Sequence, residues 1–386
     1  MTRRRPLPDG RRGGDGGGAV ISGLAAVTAS GRTAEHVLAA AVRGEPAFGP
    51  VRRFDVSGRR VGVAATLPGS PVLADELAGA VDRACEAAGL TADERAGCPL
   101  LLAVHGDPDA PRAPERVRRG AGRLAGDLAT RCRLGTARAY TSACVAATTA
   151  VADAGAMLAL ERAERIVVAA GYLVDPDQFA LFDAGRALAT DGEVRPFSAG
   201  RTGLLLGDGV AAMVLETDAA ARRRGAPVLA RLAGWGRAGD AYHVCQPRPD
   251  GAGLARAIDA ALRRAGVAAD DVGYVNAHGS GTVFSDAAEA AALRRALGPV
   301  AGRVPVSSTK SVHGQSLEAS GLVELVITVL ALREGLLPVN AGYLAPDADC
   351  PLDVIVGTAR EGRPRYALSL NAAFGGANTA LLVGAA

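Results

Sequence analysis

Lysine is almost missing: of the 43 lysine and arginine side chains in this 386-residue chain, one is a lysine, Lys310. Aromatic residues make up only 4% and the net charge is +3, so the chain offers neither the stacking platforms nor the basic stripe that nucleic-acid binding needs. The six cysteines (85, 98, 132, 144, 245 and 350) form no Cys-x-x-Cys pair and carry no histidine at metal-ligand spacing, so no metal site is implied and single thiols in a reducing cytoplasm fit. No run of 18 or more apolar residues occurs, so no membrane-spanning helix is expected.

What remains is a globular composition, 49% hydrophobic and 22% charged. At roughly 100–200 residues per domain, the length holds two or three units or one large duplicated one. Residues 1–18, rich in arginine and glycine, cannot form a core and are expected to be a disordered tail. The apolar run at 19–29 follows. A secretory signal would also begin with positive charge before an apolar run, but Ser22 and Gly23 interrupt this one, and a buried first strand with a turn suits it better.

Apolar runs of strand length at 99–104, 165–170 and 209–216 alternate with a small-residue segment at 145–164 that reads as a buried helix. After a polar, arginine-rich joint at 217–225 the pattern restarts. Strands are expected at 227–232, 272–276, 304–307, 366–372 and 379–384, and helices at 251–265, 286–297 and 316–333. Such alternation predicts a layered α/β fold, divided into halves at 19–220 and 221–386.

Three segments carry chemistry. In Ala-Tyr-Thr-Ser-Ala-Cys-Val-Ala-Ala (139–147) a β-type stretch runs into the small-residue helix and sets Cys144 at its start. Unpaired N–H groups and the helix dipole there favour an anion, so a lowered thiol pKa and a nucleophilic sulfur are expected; a cysteine that merely fills space is the alternative. In Val-Asn-Ala-His-Gly-Ser-Gly-Thr (275–282), with Asp286 and Glu289 just after, His278 at a strand end can donate to a substrate carbonyl. The third is Val-Pro-Val-Ser-Ser-Thr-Lys-Ser-Val-His-Gly-Gln (304–315), where an ammonium can pair end-on in a tight polar site that a guanidinium would not fit. Ser-Leu-Asn-Ala-Ala-Phe-Gly-Gly-Ala-Asn (369–378) lies beyond it, and its glycine pair can be a hairpin turn.

In this order and spacing the segments resemble the beta-ketoacyl synthases, the condensing enzymes of fatty-acid and polyketide assembly. The blocks Val-Arg-Arg-Phe-Asp (51–55) and Arg-Pro-Phe-Ser-Ala-Gly-Arg-Thr-Gly-Leu-Leu-Leu-Gly-Asp-Gly (195–209) add to the resemblance. It implies a thiolase-like fold of two duplicated α/β halves in α-β-α-β-α layers. It further implies that Cys144 accepts an acyl chain from the phosphopantetheine of an acyl carrier protein, with no cofactor or metal bound by the chain. The N–H groups of Cys144 and Phe374 would form the oxyanion hole, and Phe374 would gate the cysteine. His278 would hydrogen-bond the extender thioester, Ser280 and Thr282 would hold the phosphopantetheine arm, and Lys310 with Glu324 would be a supporting ion pair. The expected partner is a second synthase-like subunit, in a homodimer or heterodimer.

One departure matters most. Where the family pattern carries a second histidine this chain has Gln315, whose amide can donate a hydrogen bond but cannot titrate. His313 is read as a polar loop residue rather than a substitute, and Glu318, replacing a small residue of the pattern, as a solvated or interface charge; the alternative is a Glu318 facing the cavity, where its carboxylate would repel a malonyl carboxylate and discourage decarboxylative extension. The arginine-rich segment 106–138 (112, 116, 118, 119, 123, 131, 133 and 138) is read as a solvated face, with carrier-protein docking as the sharper alternative. Decarboxylative condensation is the leading activity expected. Acyl transfer without elongation, or a chain-length-factor-like partner role, is the alternative, and retention of Cys144 argues against the partner role.

Overall fold

A computed structural model describes residues 19–106 and 120–386. The tail at 1–18 and Arg112, Arg116, Arg118 and Arg119 lie outside the described residues. One half contributes β1 (Ala19–Thr28), β2 (Leu100–Val104), β3 (Ala137–Tyr140), β4 (Arg165–Tyr172) and β5 (Gly209–Glu216). The other contributes β6 (Ala230–Gly239), β7 (Val272–Asn276), β8 (Pro305–Ser307), β9 (Tyr366–Ala373) and β10 (Ala377–Ala385). Their orders, β3-β2-β4-β5-β1 and β8-β7-β9-β10-β6, are the same topology twice. In each half the first three strands of that order run parallel and the remaining pairings are antiparallel. Antiparallel pairing of β1 with β6, Ala19 opposite Leu232 and Ile21 opposite Ala230, joins the halves; with the short strand Asp353–Val354 at one edge the sheet has 11 strands.

Side chains alternate between cores with period two, as the strand pleat requires. In β5, Ala211, Met213 and Leu215 enter the central core while Val210, Ala212 and Val214 enter an outer one. β10 does the same, with Leu381 and Val383 central and Ala380 and Leu382 outward. Helices α1 (Leu73–Ala87) and α2 (Ala121–Arg131) cover one outer face; α4 (Ala252–Ala265) and α5 (Val283–Leu297) cover the other. Between the half-sheets lie α3 (Ala146–Ala159) and α6 (Ser320–Glu334), apolar on nearly all sides because both faces of each are buried. This gives the five layers expected. Gly321 sets the contact between the two central helices, since a Cβ there would lie 2.5 Å from Thr148 Cγ2 and 2.8 Å from Asn371 Oδ1.

Strands at 209–216 and 272–276 form at the expected residues. The joint at 217–225 does not stay irregular. It forms the helix Asp218–Arg224, because the Thr217 hydroxyl accepts from Ala220 N at 3.2 Å and Gly225, at φ 64°, closes the end. The helix expected through 164 stops at Ala159, and that expected from 316 begins as a tight turn, Leu317–Ala319, before α6.

Candidate active site

The duplication produces two matching elbows where the halves meet. After β3, Ala143 takes φ 50° and Cys144 sits in a short turn, Ala143–Val145, that runs into α3. After β8, Leu317 takes φ 42° and Glu318 sits in the turn Leu317–Ala319 that runs into α6. A positive φ is costly for a residue with a Cβ, and both instances immediately precede the residue displayed at the elbow. The two turns pack against each other, so thiol and carboxylate share one centre.

Gln315 Nε2 donates to Cys144 Sγ at 3.0 Å. The amide is held in that orientation from its other end, where Ser320 Oγ donates to Gln315 Oε1 at 3.0 Å. Its main chain is fixed as well, with Gln315 N donating to Leu205 O and Gly207 N donating to Gln315 O. The side chain is thus a preorganised donor aimed at the sulfur.

The thiol itself departs from expectation. Burial pushes the Cys144 pKa up to about 12, and the negative charge of Glu318 adds to this while Lys310 and the Gln315 amide oppose it. From an ordinary value near 9 this is about 4 kcal/mol against the thiolate, more than the ~0.3–1 kcal/mol that a helix end supplies. Cys144 is only 6% exposed, so desolvation outweighs the dipole and the resting group is a thiol.

Lys310, the one lysine, is 1% exposed and its Nζ lies 2.5 Å from Glu324 Oε1. It also donates to the His278 carbonyl at 2.7 Å, and Asn371 Nδ2 donates to the other Glu324 oxygen at 2.8 Å. His278 is therefore positioned through its main chain, which Glu289 holds too: its two carboxylate oxygens accept from the N–H groups of His278 and Gly279, both at 2.7 Å. Burial, with the nearby Lys310 charge, drives the imidazole pKa well below its ordinary value, so His278 is neutral. Its Nδ1 is buried without a partner among the described residues.

Ser280 and Thr282 lie on the same loop with their hydroxyls bonded to each other at 2.9 Å. Phe374 stands at the turn between β9 and β10, 53% exposed, its ring centroid 5.9 Å from that of Phe182. Two other readings need correction. His313 is not a polar loop residue: it is fully buried, bonded to Thr309 Oγ1 at 3.0 Å, and burial lowers its pKa to about 3. Glu318 is not solvated: its side chain is 3% exposed and accepts from His105 Nδ1 at 3.0 Å. Both follow from the central layer, which encloses the whole segment from Ser307 to Leu332.

Asn371, Glu289 and His105 are the residues that the sequence reading left without a role. A glutamine at 289 keeps one acceptor and turns an NH2 toward a main-chain donor. Glu289→Gln is expected to cost about 1–3 kcal/mol in urea unfolding, with His278 displaced. Burial also raises the pKa of Asp286 to about 6 and of Glu289 to about 7. Raised carboxylates support the fold most at acid pH and withdraw that support as pH rises through 6 to 7.

A duplicated five-layer α/β fold with a cysteine at one elbow and a buried histidine and lysine from the other half defines a thiolase-like architecture. The sequence model of the beta-ketoacyl synthase N-terminal domain matches residues 108–221 and that of the C-terminal domain matches residues 229–343. The chain belongs to the beta-ketoacyl synthase family. It is 43% identical over 215 residues to the tetracenomycin polyketide synthase ketoacyl synthase alpha subunit of Streptomyces glaucescens, covering 54% of this chain and 50% of that protein. To the 3-oxoacyl-[acyl-carrier-protein] synthase 2 of Vibrio harveyi it is 39% identical over 251 residues, covering 63% and 60%. The chain thus spans about half to three fifths of the length of these relatives. Among solved structures, the ishigamide ketosynthase/chain length factor superposes with a TM-score of 0.89 at 28% identity, covering 96% of this chain and 100% of that one.

Proposed function

We propose that this chain is a beta-ketoacyl synthase acting in polyketide or fatty-acid assembly, acylated on Cys144 and joining that acyl group to an extender unit by decarboxylative condensation. The observation that carries the reading is Cys144 at a strained elbow with the Gln315 amide 3.0 Å from its sulfur and the Lys310 charge acting on it, while Lys310, paired with Glu324, also holds the His278 carbonyl. The sulfur attacks an acyl thioester on the phosphopantetheine of an acyl carrier protein, and the main-chain N–H groups of Cys144 and Phe374 receive the tetrahedral oxyanion. His278, neutral and buried, and Gln315 then donate to the extender carbonyl as carbon dioxide leaves and an enolate forms. Ser280 and Thr282 exchange their mutual hydrogen bond for one to the pantetheine arm.

Phosphopantetheine brings the substrates, and the chain supplies side chains and amides alone. Similarity to the ishigamide ketosynthase/chain length factor supports a synthase-like subunit as partner. Six free cysteines support a reducing cytoplasm, and among the described residues no helix is long and apolar enough to cross a membrane. The test is acyl-loaded protein mixed with malonyl carrier protein. A two-carbon extension with release of carbon dioxide is expected; loading followed by transfer without release from any extender would replace condensation by simple acyl transfer.

A further inference from the structure

The two halves repeat more than strands. His278 lies just past the end of β7 and is followed by Gly279; His105 lies just past the end of β2, the corresponding strand, and is followed by Gly106. Cys144 and Glu318 occupy corresponding elbows. The internal two-fold therefore pairs the cysteine–histidine set with a second set, Glu318 and His105, at the same centre.

This second set is built. His105 Nδ1 donates to Glu318 Oε1 at 3.0 Å, and Gln178 Nε2 lies 2.8 Å from the other ring nitrogen. Glu318 Oε2 is buried and has no hydrogen-bond partner among the described residues. The Tyr172 hydroxyl, at the end of β4, is in the same condition. The His105 ring, in contrast, is 57% exposed, so the pair runs from solvent to the buried elbow.

We propose that Glu318 and His105 form a proton relay that serves Cys144. The proposal rests on the reading that Cys144 is acylated. The sulfur enters the reaction as a thiol, and the partner that commonly stands beside it is replaced by Gln315, which cannot take a proton. The turn that carries Glu318 packs against the turn that carries Cys144, and, after burial, the Glu318 charge raises the thiol pKa. The carboxylate accepts the thiol proton as sulfur bonds to the thioester carbon. When the tetrahedral adduct collapses, the carbon–sulfur bond to pantetheine breaks, and the departing thiolate receives a proton back from Glu318, with His105 exchanging protons with solvent. The titratable and charged groups around the relay are Cys144, Tyr172, Asp175, Asp208, Lys310 and Glu324, and the hydrogen bond to Glu318, with its charge and that of Asp175, raises the His105 pKa.

Two readouts on the same variants separate a base from a mere charge. An acyl-pantetheine thioester measures acylation of Cys144 by intact mass, and iodoacetamide measures thiolate formation, each across pH. Glu318→Gln is expected to slow acylation about 100-fold, in line with loss of general-base assistance. Its alkylation at neutral pH should instead accelerate, because a negative charge opposing the thiolate is gone. Glu318→Asp, which keeps a carboxylate, should recover part of the acylation rate. In wild type, acylation should rise with pH as the imidazolium of His105 loses its positive charge and leaves Glu318 a stronger base, and His105→Gln should lack that limb. Acylation of Glu318→Gln at the wild-type rate or faster would overturn the relay. Wild-type protein that is never acylated would remove the reading beneath it instead.

Discussion

Cys144→Ala is expected to give a folded protein with no acyl adduct after incubation with acyl carrier protein, a fall in loading of roughly a thousandfold or more. The substitution removes one small buried group beside a well-packed helix start, so stability should change by only about 1 kcal/mol. Intact mass spectrometry reads the adduct, and urea unfolding of the same sample reads the fold. Loading that persists on the alanine variant, at another residue, would sink the assignment of the nucleophile. The large expected loss follows from placement rather than from acidity. With the thiol pKa pushed up to about 12, no other described feature of this sulfur except its neighbours makes it reactive.

Lys310→Met should give the largest loss of stability, about 3–5 kcal/mol, since it strands the Glu324 carboxylate in the core with Asn371 as its remaining side-chain donor. The urea midpoint should fall while the slope of unfolding stays constant. Adding Glu324→Leu to the same chain should recover much of the loss, because a buried pair removed together is far less costly than one half removed alone. Activity should not return with it, since the ammonium also holds the His278 carbonyl. A single variant as stable as wild type would show that the pair carries no structural weight. Lys310→Arg is not a conservative test: a planar five-donor group does not fit a site closed around one point charge.

The fold was legible because its strands are buried on both faces and its central helices on nearly all sides, so apolar runs of 5 to 10 residues and one small-residue helix stood out. Lys310, His278 and Cys144 were legible for another reason: each stands at the end of a strand or the start of a helix, where the pattern breaks. The thiol acidity was not legible, because it depends on how completely the second half covers the first, and no local spacing encodes that. Glu318 and His313 were misread on the same ground, as polar residues in a segment that looked exposed until α6 proved to lie between the two half-sheets. His105 offered a signal that went unused. An apolar strand followed by histidine and glycine occurs twice, at 104–106 and 275–279, and comparing the halves would have paired them.

With its only ε-amine enclosed and its remaining Lys-plus-Arg complement all arginine, the folded chain is nearly silent to amine-reactive reagents. Slow acetylation at position 310 then becomes a clock for opening of the buried centre. An acyl chain on the neighbouring sulfur should slow that clock, and the ratio of the two rates measures how much an occupied centre tightens the fold.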